Sequence, residues 1–279
     1  MARVAFLESS IPLTKTFVIN EGGNLEKSSY PLVSKFTSYE EDILALHELF
    51  DAIERHSSFN RCLLKGELQR PLIKESRAGS TSASIPTNFL VLDIDANELN
   101  TIESVEQLLR LLPPEFDSIS HIVQYSCSMG VDPHRTLSCH VYFWLDKAYR
   151  PSLLKEWLRH INFQVKELEG QMDLTASGMA LKWPLDISVA QNDKLIYIAP
   201  PFLGDGVEDN FDLGDRVSLI SKDKDTLKPK LGVVNAATNK ELEAKKIQIL
   251  RKARGLRVRQ LKTKKMGSED VVTNPDPIT

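Results

Sequence analysis

An α/β fold of the α+β kind, a sheet covered by helices, is predicted by three features of this 279-residue chain. The first is Asn88 to Asp95, N-F-L-V-L-D-I-D, where four consecutive apolar residues run straight into two aspartates. A short continuous apolar run is the pattern of a strand buried on both faces. The second is Leu137 to Leu145, L-S-C-H-V-Y-F-W-L, rich in the aromatic and branched residues that suit a pleated surface. The third is a pair of amphipathic stretches, Ser38 to His56 and Pro151 to Gly170, each offering one apolar face to a sheet.

In chain order, residues 1–35 alternate weakly around Gly22-Gly23 and predict a strand or two at the margin of the domain. Ser38 and Glu41 form an S-x-x-E capping box, and Ile43, Leu44, Leu46, Leu49, Phe50 and Ile53 form an apolar stripe, which predicts a helix to about His56. Residues 61–80 carry Lys65, Arg70, Lys74 and Arg77, either as a solvated basic loop or as cations facing an anion near Asp93 and Asp95. Ser104 to Leu112 is a short helix with Ser104 and Gln107 as its capping box and Pro113-Pro114 as its stop. Ile119 to Ser126 alternates as a strand, and Cys127 to Thr136 is a turn holding Asp132, His134 and Arg135.

Pro151 and Gly170 bracket one long helix. Ala180 to Val189 and Leu195 to Ile198 predict a hairpin turning at Asp193-Lys194. Residues 200–239 form a loop-rich stretch over the sheet, residues 240–265 a solvated basic helix, and residues 266–279 a disordered tail. The organisation expected is a helix-containing N-terminal part over 1–60, a core over 61–239, the basic helical segment over 240–265, and the tail.

With 42% hydrophobic and 26% charged residues the composition is that of a globular protein and names no function. Met1 to Asn20 interleaves Arg3, Glu8 and Lys15 with its apolar residues, unlike a signal peptide. No run approaches the ~18 apolar residues of a membrane helix, so a cytoplasmic protein with no membrane partner is expected. Cys62, Cys127 and Cys139 show no C-x-x-C spacing, which argues against structural zinc and a disulfide framework and for buried small hydrophobes. The net charge of -3 conceals an asymmetry: Lys240 to Lys265 holds eleven Lys or Arg against two Glu, a balance of +9. Residues 266–279 carry three acids and no base, which leaves -9 on residues 1–239, an acidic body with a basic tail.

Alternation along a strand projects Asp93 and Asp95 to one side. Carboxylates that close repel unless a cation or proton lies between them, so the pair is a candidate divalent-metal site, although D-x-D also arises by chance. Ser138 and His140 likewise share one face, with Cys139 and Val141 on the other. A lone strand histidine is commonly structural; the neighbouring turn with His134 and Arg135 makes phosphate binding the alternative. Asp186 is a third acid in an apolar setting, by itself an ordinary hairpin acid.

The ordered triplet h-h-h-D-x-D at 93 and 95, S-x-H at 138 and 140, and h-D at 185 and 186, each on a predicted strand, resembles the archaeo-eukaryotic primase superfamily over about residues 60–200. That resemblance implies a mixed, largely antiparallel sheet flanked by helices, with an RRM-like element that carries the carboxylates. It implies that Asp93, Asp95 and Asp186 are catalytic and bind two Mg2+ or Mn2+ ions, and that His140, with Ser138, contacts the phosphates of an incoming nucleotide. Arg135 is the first candidate helper, with Lys182 and Arg77 as further nucleotide-binding cations.

The implied function is a template-directed nucleotidyltransferase, a DNA primase or DNA polymerase, acting with nucleoside triphosphates on single-stranded DNA. A replicative helicase is a further partner implied by such relatives. The sequence has neither clustered Cys/His zinc ligands nor a G-x-x-x-x-G-K-[ST] loop, so a helicase would be a separate chain or lie beyond Thr279. The basic 240–265 segment is then a template-binding helix or a tether. Two other readings are a catalytically inactive nucleic-acid-binding module of a replication initiator and a metal-dependent D-x-D glycosyltransferase. The latter leaves S-C-H and Asp186 unexplained.

Overall fold

Phe89, Leu90, Val91 and Leu92 fold as their apolar run requires, into a Thr87–Ile94 strand in which all four are buried. The computed structural model describes residues 1–94, 102–132, 137–211 and 216–269. In it that strand pairs antiparallel with Cys139–Tyr149, which pairs antiparallel with His121–Tyr125, which pairs antiparallel with Val217–Ile220. Helix Val105–Leu111 lies between the first and second strands in the chain, and helix Pro151–Gln164 follows the third. Leu185 then forms one antiparallel bridge with Ile94 on the open edge. This is β-α-β-β-α-β connectivity with the first and third strands adjacent at the centre, the RRM-like order. Its last strand is reduced to a single bridge, and Val217–Ile220, from a stretch expected to be loop, extends the opposite edge.

A second antiparallel sheet has the order Leu195–Ile196, Arg61–Leu64, Ala2–Glu8, Thr37–Ile43. Residues 1–8 therefore lie inside a sheet and not at the margin. Val4-Ala5-Phe6-Leu7 is itself a continuous apolar run, and all four residues are buried. A small third sheet contains the one parallel pairing between named strands, Phe202–Leu203 with Thr16–Ile19. The class is α+β with mostly antiparallel sheets, as expected.

Three expected elements are corrected. Thr37–Ile43 is strand, and the helix covers only Leu46–His56. The supposed capping box is used elsewhere: Ser38 Oγ accepts from the Leu72 amide at 2.9 Å, and Glu41 pairs with Arg55 and His56. Glu48, four residues on, accepts from the Leu44 amide at 2.6 Å instead. The hairpin over 180–198 does not form. Leu181–Lys182 pairs with Asp173–Leu174, Ile187–Ala190 is a 3-10 turn, and Leu195–Ile196 crosses to the second sheet. Asn192 directs that crossing, donating to the Ser82 and Ile85 carbonyls at 2.7 and 2.8 Å. The long helix divides at Val165 into Pro151–Gln164 and Lys166–Gly170, because Val165 is extended, with φ -83° and ψ 112°.

Ser104 caps Val105–Leu111 as expected, accepting from the Gln107 amide at 3.1 Å. Leu108, Leu154, Trp157, Leu158 and Ile161 from the two helices join the core of the first sheet. The three cysteines are buried and unpaired. The basic segment belongs to a helix, Ala236–Glu269, so residues 266–269 are helical; the rest of the expected disordered tail, 270–279, lies outside the described residues. Among the described residues no helix is long and apolar enough to cross a membrane.

Lys65 stands at the end of the Arg61–Leu64 strand with only 1% exposure. Its Nζ donates to Thr87 Oγ1 at 2.8 Å and lies 4.1 Å from the centre of the Phe89 ring. Burial pushes the ammonium down to about 7. A lysine that ionises at about 10.4 when unfolded binds a proton there that the folded chain releases, so this group makes stability rise with pH from about 7 to about 10.5. Lys65→Met is expected to raise unfolding free energy at pH 7 by about 1–4 kcal/mol. The gain should shrink toward pH 10. Urea unfolding of both proteins at the two pH values checks this; a less stable variant at pH 7 refutes it.

Candidate active site

Asp93 and His140 are direct cross-strand partners, as are Gln124 and His140. The side chains of Asp93, His140 and Gln124 thus share one face of the first sheet. Gln124 Nε2 donates to the Tyr125 carbonyl at 2.8 Å, which turns its Oε1 toward His140 Nδ1. An amide oxygen only accepts, so Nδ1 carries the proton, and Nε2 is the nitrogen facing Asp93 Oδ1 at 3.5 Å. Ser138, two residues earlier on the same face, accepts from Ser126 Oγ at 2.8 Å.

Asp186 arrives by another route. Leu185 is clamped by Asn162, fully buried on helix Pro151–Gln164: its amide donates to Asn162 Oδ1 at 3.1 Å and its carbonyl accepts from Nδ2 at 3.0 Å. Those two main-chain groups point away from Thr87–Ile94, so Asn162 stands where a further strand would pair on the outer side of Leu185. The expected strand at the third motif is one bridge, and the bond from the Asp186 amide to the Asp93 carbonyl at 3.0 Å is part of it. Asp186 caps the 3-10 turn, accepting from the Ser188 amide and hydroxyl at 2.8 and 2.7 Å, and pairs with Lys194 Nζ at 3.0 Å. Burial pushes its carboxyl up, but Lys194 and the Ser188 bonds outweigh that and hold it below the usual carboxylate range.

Asp93, Ser138, His140, Lys182 and Asp186 line one cavity of about 400 Å³. Lys15, Tyr30, Trp183, Lys194 and Tyr197 complete much of its wall. Tyr30 stacks on Tyr197 with ring centres 3.8 Å apart, and its hydroxyl meets Cys127 Sγ at 3.2 Å. Burial pushes the Tyr30 phenol far up, with the charges of Cys127 and Asp93 adding to the effect. Arg77 is not brought to this cavity. It donates to the Asp193 carbonyl at 2.7 Å and lines a separate cavity with Lys155. Asp95 and Arg135 lie outside the described residues.

Among the described residues no three His, Cys, Asp or Glu side chains form a metal-holding group. Asp93 and Asp186 are nevertheless hard oxygen donors facing one space, the donor type that suits Mg2+ or Mn2+.

Gln124 and Lys194 are site residues that sequence reasoning missed. Gln124 had a signal, a single amide between apolar residues of the H-I-V-Q-Y strand, with 1% exposure. Lys194 follows a turn acid and had none, and Lys15 and Tyr30 come from an N-terminal stretch with no motif. Comparison with protein-family models, with curated proteins and with solved structures returns no match.

Asp186 contributes stability above the ordinary carboxylate pKa that is lost as pH falls through its depressed value. Lys194→Met removes the opposing charge and leaves the burial. Acid unfolding should then begin at higher pH, with a neutral-pH loss of about 0.5–1 kcal/mol, since a third of each partner is exposed. Urea unfolding between about pH 3 and 7 measures both; an unmoved acid limb refutes the assignment.

Proposed function

We propose that the chain is a template-directed nucleotidyltransferase of the primase-polymerase type, making primers or extending DNA from nucleoside triphosphates on a single-stranded template. One observation carries this reading. Two carboxylates distant in sequence, Asp93 and Asp186, are joined through the main chain at one cavity, and His140 lies beside Asp93. A nucleotidyl transfer site needs hard anionic donors next to cationic donors for the triphosphate, and this cavity juxtaposes both.

Asp93 and Asp186, with Asp95, would hold two Mg2+ or Mn2+ ions. When bound, such ions would supply Lewis-acid activation of a 3′-hydroxyl and neutralise the pyrophosphate leaving group. The chain's own residues bind and orient. His140, with Nδ1 fixed by Gln124, offers Nε2 to a phosphate oxygen when that nitrogen is protonated. Lys15, Lys182 and Lys194 contribute point charges for the remaining phosphate oxygens. The Tyr30–Tyr197 stack and Trp183 give flat apolar surface suited to a base. Under this reading the protein acts in the cytoplasm, with single-stranded DNA as template and with a replicative helicase in trans or fused to the chain.

Template-directed incorporation with Mg2+ or Mn2+ tests the reading. Asp93→Ala and Asp186→Ala are each expected to lower kcat by at least about 100-fold. His140→Ala is expected to weaken triphosphate binding about tenfold while circular dichroism stays native. Incorporation unchanged by either aspartate substitution overturns the proposal.

A further inference from the structure

Helix Ala236–Glu269 reaches the candidate site from behind. Leu242, Ile249 and Leu250 of its first half pack with Phe163, Met172, Leu181 and Trp183. Leu181 and Trp183 also line the site cavity. Further along, Arg254 donates from Nε to the Gly178 carbonyl at 3.0 Å and from Nη2 to the Met179 carbonyl at 2.8 Å. Arg257 Nη2 donates to the Ala176 carbonyl at 3.2 Å.

Those three carbonyls belong to the turn between the two-residue strands Asp173–Leu174 and Leu181–Lys182. The flanks of that turn, Thr175 on one side and Lys182 on the other, line the cavity. Ser177, Met179 and Ala180 are exposed, and the turn's own bonds, from the Thr175 amide to the Ala180 carbonyl at 2.9 Å and from the Gly178 amide to the Thr175 carbonyl at 2.8 Å, close it on itself and leave its attachment to the body of the protein to other contacts. Two bonds from one planar guanidinium fix direction as well as distance. Gly178 matches this arrangement. Its φ of +70° is strained for any residue with a side chain, and a Cβ there would come within 3.2 Å of Arg257 Nη1.

We propose that Arg254 and Arg257 are positioning residues of the nucleotide site, holding the 176–179 turn so that Thr175 and Lys182 face the cavity in fixed register. Affinity for the nucleotide then depends on the docked state of the basic helix. The proposal rests on the nucleotidyltransferase reading of the cavity. Neither guanidinium lines the cavity itself, so both act through the turn. Two cations of the basic segment, exposed like Arg251 and Lys252 on the same helix, are thereby bonded to the body of the protein.

The test uses the full chain with Arg254→Met and Arg257→Met combined, against a control combining Arg251→Met and Lys252→Met, which removes equal charge from exposed positions of the same helix. The latch variant is expected to raise KM for the nucleoside triphosphate about tenfold with kcat within about twofold, and to speed amide exchange across residues 176–180. The control should leave both native, and Arg254→Lys alone, which keeps one donor, should fall between. Native KM or native exchange in the latch variant overturns the proposal, as does an equal rise of KM in the control, which would make the effect one of net charge. Triphosphate affinity of the unaltered chain, by calorimetry, separates the two failures. No binding there overturns the nucleotidyltransferase reading and the latch with it; binding together with an unaffected latch variant overturns the latch alone.

Discussion

The hydrogen bond from the Asp186 amide to the Asp93 carbonyl is the contact on which the candidate site depends. An open sheet edge leaves main-chain groups that need partners. Here the edge of Thr87–Ile94 takes the Leu185-Asp186 segment and, among the described residues, no further strand. Asn162 covers the outer side of that pairing by bonding both main-chain groups of Leu185. The chain then turns sharply with Asp186 at the corner, which brings its carboxylate to the face that carries Asp93. Because the joining bond is main chain to main chain, the two carboxylates are placed without spending either one on holding the other.

The electrostatics follow from that placement. Burial raises the cost of ionising the Asp186 carboxyl. Lys194 offsets this through its ion pair with the Asp186 carboxylate at 3.0 Å. Lys194 is also the last residue before the Leu195–Ile196 strand, and its carbonyl accepts from the Lys65 amide at 3.0 Å. The counter-ion of the site is thus part of the link between the sheets. A change that loosened the second sheet would act on Asp186 through Lys194 without touching the first.

Continuous apolar runs were legible because burial on both faces leaves a pattern that no distant partner has to complete. Phe89 to Leu92 and Val141 to Leu145 both became core strands. Val4 to Leu7 carried the same pattern and was undervalued, since its weakly patterned surroundings concealed it. The misread elements were settled by partners far away in sequence. Ser38 and Glu41 have capping-box spacing, but Leu72 and His56 compete for their side chains and win. The supposed hairpin over 180–198 satisfies local propensity, but Asn192 is held by Ser82 and Ile85, about a hundred residues earlier. Among the expected site residues that are described, Asp93, Ser138, His140, Lys182 and Asp186 line one cavity, and alternation along a strand, a property of sequence, accounts for the first three. Arg77 went to another cavity, since nothing local tells a loop cation which way to face.

The same distinction explains why a site can be announced by so few residues and still require most of the chain. Asp93, His140 and Asp186 occupy three short stretches, yet the wall opposite them is built by Lys15 and Tyr30 from the N-terminal segment, and Tyr30 is held by Tyr197 after the third motif. The far side is braced by Leu242, Ile249 and Leu250 on the C-terminal helix, behind Leu181 and Trp183. Donors for a metal or a phosphate must be of one chemical type at one position, so their spacing is visible in sequence. A wall needs only shape, burial and a fixed distance, which many residue combinations supply. The motif-bearing stretch therefore specifies the chemistry, and the segments outside it determine how firmly, and around what shape of ligand, that chemistry is held.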